Sequence, residues 1–293
     1  MRIGIVTIRD AAYHPNRRLL DAAKAKGHSG RLVHPYHTWP AVQGNRALAI
    51  DPRGQCRIDV LVPRQGAEVG ESSLALIETF EQQHLPVVNR SKAIRLARNQ
   101  YMTIRKLAET GLPVLDSVLV NSEEGFWAAA ESLGGFPLVI KHPSGRQGEG
   151  VRLARDTKDG RAHLEELLTP RLGLMVQRFI PLEGRLDIRV LVIGGEIAGA
   201  IALKPVDGDF RANFHLTGRS QPIDVWPELA ETVISAAAAL DLEIAGVDLL
   251  ADQQRRLWVL EVNYAPGFQG LEAATGLDIA GMMVDYIVDT YGQ

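Results

Sequence analysis

Two short apolar runs near the C-terminus carry acidic residues at matching positions. Asp248 lies within residues 245–250 and Glu261 within 257–263, and a polar turn separates the runs. If the runs pair as a hairpin, Asp248 lies opposite Glu261, and Asn263 shares their face. Two carboxylates and an amide oxygen are the hard ligands that Mg²⁺ prefers when it also binds substrate phosphates. The spacing predicts a magnesium site; the alternative is a solvent-facing hairpin in which acidic and apolar residues alternate.

A lysine followed by a glycine-rich stretch suggests a phosphate-binding loop. Lys141 ends an apolar strand, and the loop that follows contains Gly145, Gly148 and Gly150. Glycine backbone amides can approach a phosphate closely, and the lysine would neutralise its charge. The stretch does not match the nucleotide-binding pattern G-x-x-x-x-G-K-[ST], so a turn beside a surface lysine is the alternative.

Arginines near these groups would suit phosphoryl transfer. Arg189 and Asp187 share one face of a predicted strand, and Arg211 and Asn213 lie in a predicted loop. Guanidinium groups beside Mg²⁺ stabilise a phosphoryl group during transfer. For Arg189 the alternative is a surface salt bridge with Asp187 or Glu196.

The first ninety residues alternate strand-like and helix-like segments, which is typical of a parallel sheet covered by helices. The predicted strands are 3–8, 31–34, 58–62 and 85–88, and the predicted helices are 17–26, with Asn16 as its N-cap, and 70–83. No G-x-G-x-x-G pattern follows the first strand. Arg9 and Arg64 follow strands at the edge where loops of a parallel sheet gather ligands. Either would bind a substrate carboxylate or be a solvated loop cation.

The remaining residues predict a small α+β unit and then an antiparallel sheet. The unit contains helices at 91–110, at 121–133 and up to 168, and strands at 115–120, 136–142, 150–154 and 174–180. Long strands at 187–193 and 196–203 follow, joined by the hairpin turn Gly194-Gly195. Helices at 227–240 and 278–291 flank the carboxylate hairpin.

Composition narrows the class of protein. The 293 residues carry a net charge of -3, which gives no sign of a nucleic-acid partner. No apolar run reaches the roughly 18–20 residues that span a bilayer, and the N-terminal apolar run is too short for a signal peptide. Cys56 is the single cysteine, so intramolecular disulfides are excluded. A cytoplasmic protein without membrane contact is the expectation.

Taken together, these segments resemble the ATP-grasp ligases, and most closely their RimK-like branch, which includes a glutamate ligase acting on a ribosomal-protein tail. The segments are Val-Ile-Lys at 139–141, the loop 145–150, Val-Gln-Arg-Phe-Ile at 176–180, Asp-Ile-Arg at 187–189, Gly-Asp-Phe-Arg-Ala-Asn-Phe-His at 208–215, Ala-Gly-Val-Asp at 245–248, Glu-Val-Asn at 261–263, Pro-Gly at 266–267 and Thr-Gly-Leu-Asp-Ile-Ala at 275–280. The resemblance implies an α/β and α+β chain with the ATP-grasp fold. Its parts would be a parallel-sheet pre-ATP-grasp domain at 1–90, a central lid at 91–183 and an antiparallel-sheet lobe with the metal site at 184–293.

The resemblance also implies roles for individual residues. Asp248, Glu261 and Asn263 would bind two Mg²⁺ ions, with Mn²⁺ as a substitute, and Arg189, Arg211 and Asn213 would act in catalysis. The residues that would contact ATP are Lys141, Gly145, Gly148, Gln177, Arg178, Phe179, Ile180, Asp187, Arg211, Ala212 and Asn213.

Three positions depart from the family pattern. Gln100 stands where the family commonly has a phosphate-contacting lysine, and Arg178 stands where it has a glutamate beside adenine. After His215 the sequence continues Leu216-Thr217-Gly218 instead of a more basic, glycine-rich run. These changes bear on substrate identity and ATP affinity.

The resemblance implies an ATP-dependent carboxylate–amine ligase that forms an amide bond through an acyl phosphate. The amine would be glutamate or another amino acid, and the acid a peptide, a protein tail or a small molecule. A homo-oligomer, dimer or tetramer, is expected. Two alternatives stay open: a catalytically silent ATP-binding regulator with the same fold, and a phosphotransferase that stops at a stable phosphate ester.

Overall fold

The apolar run at the N-terminus forms the central strand of a parallel sheet. The structure, a computed structural model, describes residues 1–66, 69–144, 150–203, 210 and 220–292. Strand β1 (Arg2–Val6) lies between β2 (Ser29–Val33) and β6 (Val60–Pro63), and both neighbours run parallel to it. Helices α1 (His14–Ala25) and α2 (Glu71–Gln82) connect and cover the strands. The predicted strand at 85–88 is reduced to a single bridge between Leu61 and Val87.

A second small sheet follows β2 and was not predicted. It contains β3 (Trp39–Gln43), β4 (Arg46–Asp51) and β5 (Gly54–Gln55), all antiparallel. Its strands are short and largely exposed, so their sequence lacks a clear alternation of apolar and polar residues. Gly44 and Asn45 both have positive φ angles, as the tight hairpin turn between β3 and β4 requires.

Two predicted helices differ from the structure, one in its start and one in its continuity. Helix α1 begins at His14 with Pro15 in its first turn, and Asn16 is buried within the helix instead of capping it. The predicted helix at 91–110 is two helices, α3 (Ser91–Ala97) and α4 (Gln100–Glu109). Asn99 causes the break, because its side chain accepts a hydrogen bond from the Met102 N–H at 3.0 Å and caps α4.

The middle of the chain forms an antiparallel sheet of four strands. Their spatial order is β7 (Ser117–Val120), β10 (Leu174–Arg178), β8 (Leu138–Lys141) and β9 (Arg152–Ala154). Helices α5 (Glu123–Ser132) and α6 (Thr157–Leu167) pack on this sheet around the buried side chains of Phe126 and Leu164. This packing leaves the other face of the sheet free to face the C-terminal part of the chain.

The C-terminal sheet has five antiparallel strands. Their order is β13 (Ser220–Pro222), β12 (Glu196–Leu203), β11 (Leu186–Ile193), β14 (Ile244–Ala251) and β15 (Leu257–Asn263). Helix α7 (Pro227–Ala239) packs on one face; α8 (Gln269–Thr275) and α9 (Ile279–Tyr291) follow β15, and α9 also contacts α1. A parallel sheet followed by antiparallel sheets is the architecture that the sequence predicted.

Candidate functional site

The carboxylate hairpin forms as predicted, with the help of a β-bulge. Strands β14 and β15 pair Asp248 with Glu261, and Leu250 with Trp258 nearer the turn. That turn-proximal register, if continued, would place Leu260 opposite Asp248. The bulge between Asp248 and Leu249 absorbs one residue of β15, so that Glu261 lies opposite Asp248.

The hairpin presents its polar residues on the face opposite α7. Val247 and Val262 belong to the core that α7 covers, so their neighbours Asp248 and Asn263 point to the other side. Asn263 donates its Nδ2–H to Asp248 Oδ2 at 3.2 Å, which leaves its amide oxygen without a donor among the described residues.

Arg189 on the neighbouring strand β11 lies directly opposite Asp248. Its Nε and Nη2 donate to the two Asp248 oxygens at 2.6 and 2.7 Å. Burial by itself would lower the pKa of Arg189, but the Asp248 carboxylate outweighs burial and raises it. The surface salt bridge with Asp187 or Glu196, considered from sequence, is therefore wrong: the partner lies across the sheet, 59 residues away.

Lys141 faces this group from the central sheet. It is buried at 8% exposure at the end of β8, and the part of the chain that the structure describes offers it no ion-pair partner. Burial lowers the pKa of Lys141 to about 8, although the charge of Glu261 acts to raise it. Burial likewise raises the pKa of Glu261 above its usual range, with Asp248 adding to the shift and Lys141 and Arg189 opposing it.

The donor set fits a divalent cation. The Glu261 carboxylate accepts no hydrogen bond from any described residue, and its raised pKa shows that nearby positive charge does not balance it. Asp248 binds Arg189 but keeps further lone pairs, since a carboxylate has about four acceptor positions. Asn263 contributes a free amide oxygen. Within the described ranges no cluster of three His, Cys, Asp or Glu side chains forms a metal site, so the amide is needed to complete the set.

The segment predicted to contact adenine uses several of its polar groups internally. The Gln177 side chain is buried and donates to Ser117 Oγ at 2.9 Å, so it is not directed to a ligand. The Arg178 N–H donates to the carbonyl of Asp116, while its side chain is exposed. Phe179 packs edge-to-face on Phe210 with ring centroids 6.2 Å apart.

Arg185 organises the same region and was missed from sequence. Its side chain is 5% exposed, and it binds both oxygens of Asp187 at 3.0 and 3.1 Å. It also donates to the carbonyls of Ile180, at 3.0 Å, and Phe210, at 2.7 Å. Burial raises the pKa of Asp187 to about 6, although Arg185 opposes the shift. No local pattern distinguishes Arg185 from a surface arginine, because its partners lie on three segments.

Asn89 holds both ends of the carboxylate hairpin and was also missed. Its side chain, 1% exposed, donates to the carbonyls of Ile244 and Tyr264 at 2.7 and 2.8 Å. Its oxygen accepts the N–H groups of Glu243 and Ile244 at 2.7 and 3.0 Å. All hydrogen-bonding positions of this buried amide are thus used, which fixes the hairpin to the N-terminal unit.

Several predicted contacts lie outside the described residues. They are Gly145, Gly148, Arg211, Ala212 and Asn213, as well as the departure at 216–218. Gln100, the other departure, is the first residue of α4, and its backbone N–H donates to the Pro143 carbonyl at 2.7 Å. Its side-chain oxygen is buried and accepts no hydrogen bond from the residues that the structure describes.

The two candidate substrate arginines lie at the carboxyl edge of the parallel sheet. The Arg9 guanidinium carbon is 5.9 Å from the centroid of the Tyr13 ring. Arg64 directly follows β6 and donates to the Pro266 carbonyl, three residues beyond Asn263. Arg64 is therefore connected to the carboxylate hairpin.

Comparisons with known proteins agree with this arrangement. The family model of the RimK-like ATP-grasp domain matches residues 97–287, and that of the RimK PreATP-grasp domain matches residues 1–94. A protein of Aliivibrio salmonicida (strain LFI1238), named a probable alpha-L-glutamate ligase, is 34% identical over 289 residues, 98% of this chain and 95% of its own length.

Solved structures share the fold. A RimK domain protein ATP-grasp from Sphaerobacter thermophilus DSM 20745 has a TM-score of 0.76 at 24% identity, covering 98% of this chain and 99% of its own. The ATP-grasp ligase PsnB, complexed with a phosphomimetic variant of a minimal precursor, Mg and ADP, has a TM-score of 0.73 at 19% identity, covering 98% and 97%. Among the described helices, none is long and apolar enough to cross a membrane.

Proposed function

The chain belongs to the RimK-like ATP-grasp family and is an ATP-dependent ligase, and we propose that it joins a carboxylic acid to an amino acid through an acyl phosphate. The observation that carries the proposal is the polar face of the C-terminal sheet. There Arg189 binds Asp248, Glu261 lies beside Asp248, and Lys141 faces them from another sheet. Phosphoryl transfer needs such fixed cations, together with oxygen ligands for a divalent cation.

In the proposed first step the acid substrate is activated. A carboxylate is a poor electrophile at neutral pH, so its oxygen first forms a bond to the γ-phosphorus of ATP. The bond from that phosphorus to the bridging oxygen breaks, and ADP leaves. Lys141 and Arg189 supply fixed positive charge to the transferring group, and burial strengthens their effect because less water screens it.

In the second step the amino group of an amino acid attacks the acyl carbon. The carbon–oxygen bond to the phosphoryl group breaks, inorganic phosphate leaves with one oxygen of the original acid, and the amine loses a proton to solvent. The nucleophile is a substrate, so no covalent bond to a side chain is required. Water must be excluded, because it would otherwise hydrolyse the acyl phosphate.

The proposal assigns the metal to the hairpin. Asp248, Glu261 and Asn263 would bind Mg²⁺, which when bound would offset charge on the nucleotide phosphates. Two ions are proposed, since two carboxylates and an amide oxygen exceed what one substrate-bound Mg²⁺ takes from protein. Asn263 would keep its amide oxygen available because its nitrogen is held by Asp248.

The nucleotide would lie between the central and C-terminal sheets. Lys141 would bind its phosphates, and backbone groups of residues 178–180 would meet adenine beside Phe179. Arg185 and Asp187 would position this segment, because Arg185 binds Ile180 and Asp187 simultaneously. Contacts from Gly145, Gly148, Arg211, Ala212 and Asn213 stay predictions.

Glutamate is the proposed amino acid, and a peptide or protein tail the proposed acid. Support comes from the Aliivibrio relative's name, a probable alpha-L-glutamate ligase, and from PsnB, which was solved with a peptide precursor. Assembly into a dimer or tetramer stays a prediction, which light scattering of the purified protein would test.

The two alternatives differ from ligation in their products. A silent regulator would bind ATP without forming ADP, and the ligase names of the curated relatives do not support it. A phosphotransferase would form ADP with a phosphate ester and no amide.

The test is ADP release with Mg-ATP over a matrix of acids and amino acids, with products weighed by mass spectrometry. We expect ADP only when an acid and an amine are both present, together with a product of amide mass. ADP accompanied by a phosphorylated acid that persists when amine is added would overturn ligation.

A further inference from the structure

Arg64 is a partly buried cation with largely apolar neighbours, and none of the described carboxylates pairs with it. Its Nη2 donates to the Pro266 carbonyl at 2.5 Å, and its guanidinium carbon is 5.6 Å from the Phe268 ring centroid. Its Nε is buried and unpartnered. The phenol of Tyr13 is the ionisable side chain close enough to influence the pKa of Arg64. We call these four residues, Tyr13, Arg64, Pro266 and Phe268, the edge pocket.

A partly buried guanidinium with a fully buried Nε needs more partners than these neighbours supply. The group carries five N–H donors, and across the described ranges it donates only to Pro266. Buried charges in proteins are normally paired, because removing an ion from water without a counter-ion is strongly unfavourable. Burial lowers the pKa of Arg64 to about 10, so the group is still charged at neutral pH.

Nearby acidic groups are already engaged. Glu272 accepts from Arg18 at 3.0 and 3.2 Å and lies 3.3 Å from His14. Asp10 accepts the backbone N–H of Tyr13 at 3.0 Å. Neither carboxylate forms an ion pair with Arg64, so the described residues that surround this cation supply no counter-ion for it.

The edge pocket adjoins the carboxylate hairpin. Gly246 pairs with Asn263 and lies two residues before Asp248, on the same face. A Cβ at Gly246 would lie 2.7 Å from the Cβ of Pro266, so Pro266 packs closely over this face. Since Arg64 binds the Pro266 carbonyl, its charge is positioned at the border of the proposed reaction site.

We propose that Arg64 binds a carboxylate of the incoming amino acid, one that the reaction does not consume. This assignment rests on the proposed ligase function. The carboxylate that is activated gives up an oxygen to phosphate, whereas a spectator carboxylate keeps its charge in both steps and matches a permanent cation. The planar guanidinium can bind it through two parallel N–H bonds. The substrate class is therefore α-amino acids, with glutamate as the probe.

The test compares glutamate with two neutralised analogues in the wild type and in Arg64→Gln. Glutamine lacks the side-chain charge, and glutamic acid α-amide lacks the α-carboxylate charge. The wild type should use glutamate with a lower KM than one of these analogues. Arg64→Gln should raise the KM for glutamate about 10- to 100-fold and abolish that difference. Arg64→Lys keeps the charge but lacks the planar pair of N–H groups, so its KM for glutamate should lie between those of the wild type and Arg64→Gln.

Controls separate binding from folding and from the proposed function. Arg2→Gln removes an exposed arginine of the same parallel sheet that is paired with Asp59. It should change neither the KM for glutamate nor the KM for ATP. The KM for ATP and the unfolding temperature of Arg64→Gln should stay near wild type. If the wild type forms amide but Arg64→Gln keeps the wild-type preference among the three amino acids and the wild-type KM for glutamate, the Arg64 assignment is overturned and ligation stands. If the wild type forms no amide with any pair, both are overturned.

Discussion

Two regions of this molecule differ in the partners of their buried or partly buried arginines. On the face of the C-terminal sheet, Arg189 is bound by Asp248 and Arg185 by Asp187, so each guanidinium has its carboxylate within the chain. At the edge of the parallel sheet, Arg64 binds a backbone carbonyl and no described carboxylate. Paired charges build a fixed site whose geometry exists before substrates arrive, whereas a charge without a partner marks where a ligand supplies the counter-ion.

The largest effect should follow from Glu261→Gln. This change removes the carboxylate on the polar face of the C-terminal sheet that accepts no hydrogen bond from any described residue. We expect amide formation to fall about 100- to 1,000-fold, as when a preorganised electrostatic group is lost. Stability should not fall, because burial disfavours this carboxylate. ADP release and thermal unfolding measure the two effects. Glu196→Gln, exposed on the same sheet, is the matched control, and an equal loss of activity there would contradict the role of Glu261.

Arg185→Met tests whether the ion pair between Arg185 and Asp187 stabilises the fold. It leaves Asp187 buried without its cation, so unfolding by urea should show a loss of about 3–5 kcal/mol. Adding Asp187→Leu should recover most of the loss, since an apolar pair avoids the desolvation of both charges. If the double variant is no more stable than Arg185→Met, the pair is not the source of the effect.

The pH dependence of ATP use should report Lys141. Its pKa is about 8, and the charged form is the one that binds phosphate. As pH rises through 8 the protein loses that charge, so kcat/KM for ATP should fall about tenfold by roughly pH 9. Lys141→Arg stays charged throughout and should flatten this limb. If kcat/KM for ATP still falls above pH 8 in this variant, the group that titrates is not Lys141.

Gln100→Lys should give the smallest effect. A lysine there would add a cation near the predicted phosphate site, and about 1 kcal/mol of added attraction would lower the KM for ATP about fivefold. Initial rates at varied ATP measure it, with Gln100→Met as the neutral control. An unchanged KM in the lysine variant would place position 100 away from the phosphates.

Local pattern was enough to predict the carboxylate hairpin. Alternation in two runs around a polar turn placed Asp248 opposite Glu261, and the structure confirms the pairing. The bulge that makes this register possible was not visible, because an inserted residue leaves the apolar pattern almost unchanged. The roles of these residues in metal binding stay predictions.

Long-range pairing was not accessible from sequence. Arg189 meets Asp248 because β11 lies beside β14 in the sheet, and the order of strands is set by tertiary packing. Asn89 was missed for the same reason, since its partners are backbone groups more than 150 residues away. Arg185 was missed because its contacts combine the nearby Asp187 carboxylate with the carbonyls of Ile180 and Phe210. Asn16 shows the opposite error: a residue typical of helix caps is buried inside α1, where it donates to the Arg9 and Asp10 carbonyls.

The acyl phosphate is the central claim, and an oxygen-isotope experiment tests it most directly. The acid substrate, labelled with heavy oxygen in its carboxylate, is incubated with glutamate and Mg-ATP, and the released inorganic phosphate is analysed by mass spectrometry. The account predicts one heavy oxygen per phosphate, because the oxygen that attacks the γ-phosphorus leaves with it. Amide formation with unlabelled phosphate would contradict activation by phosphorylation.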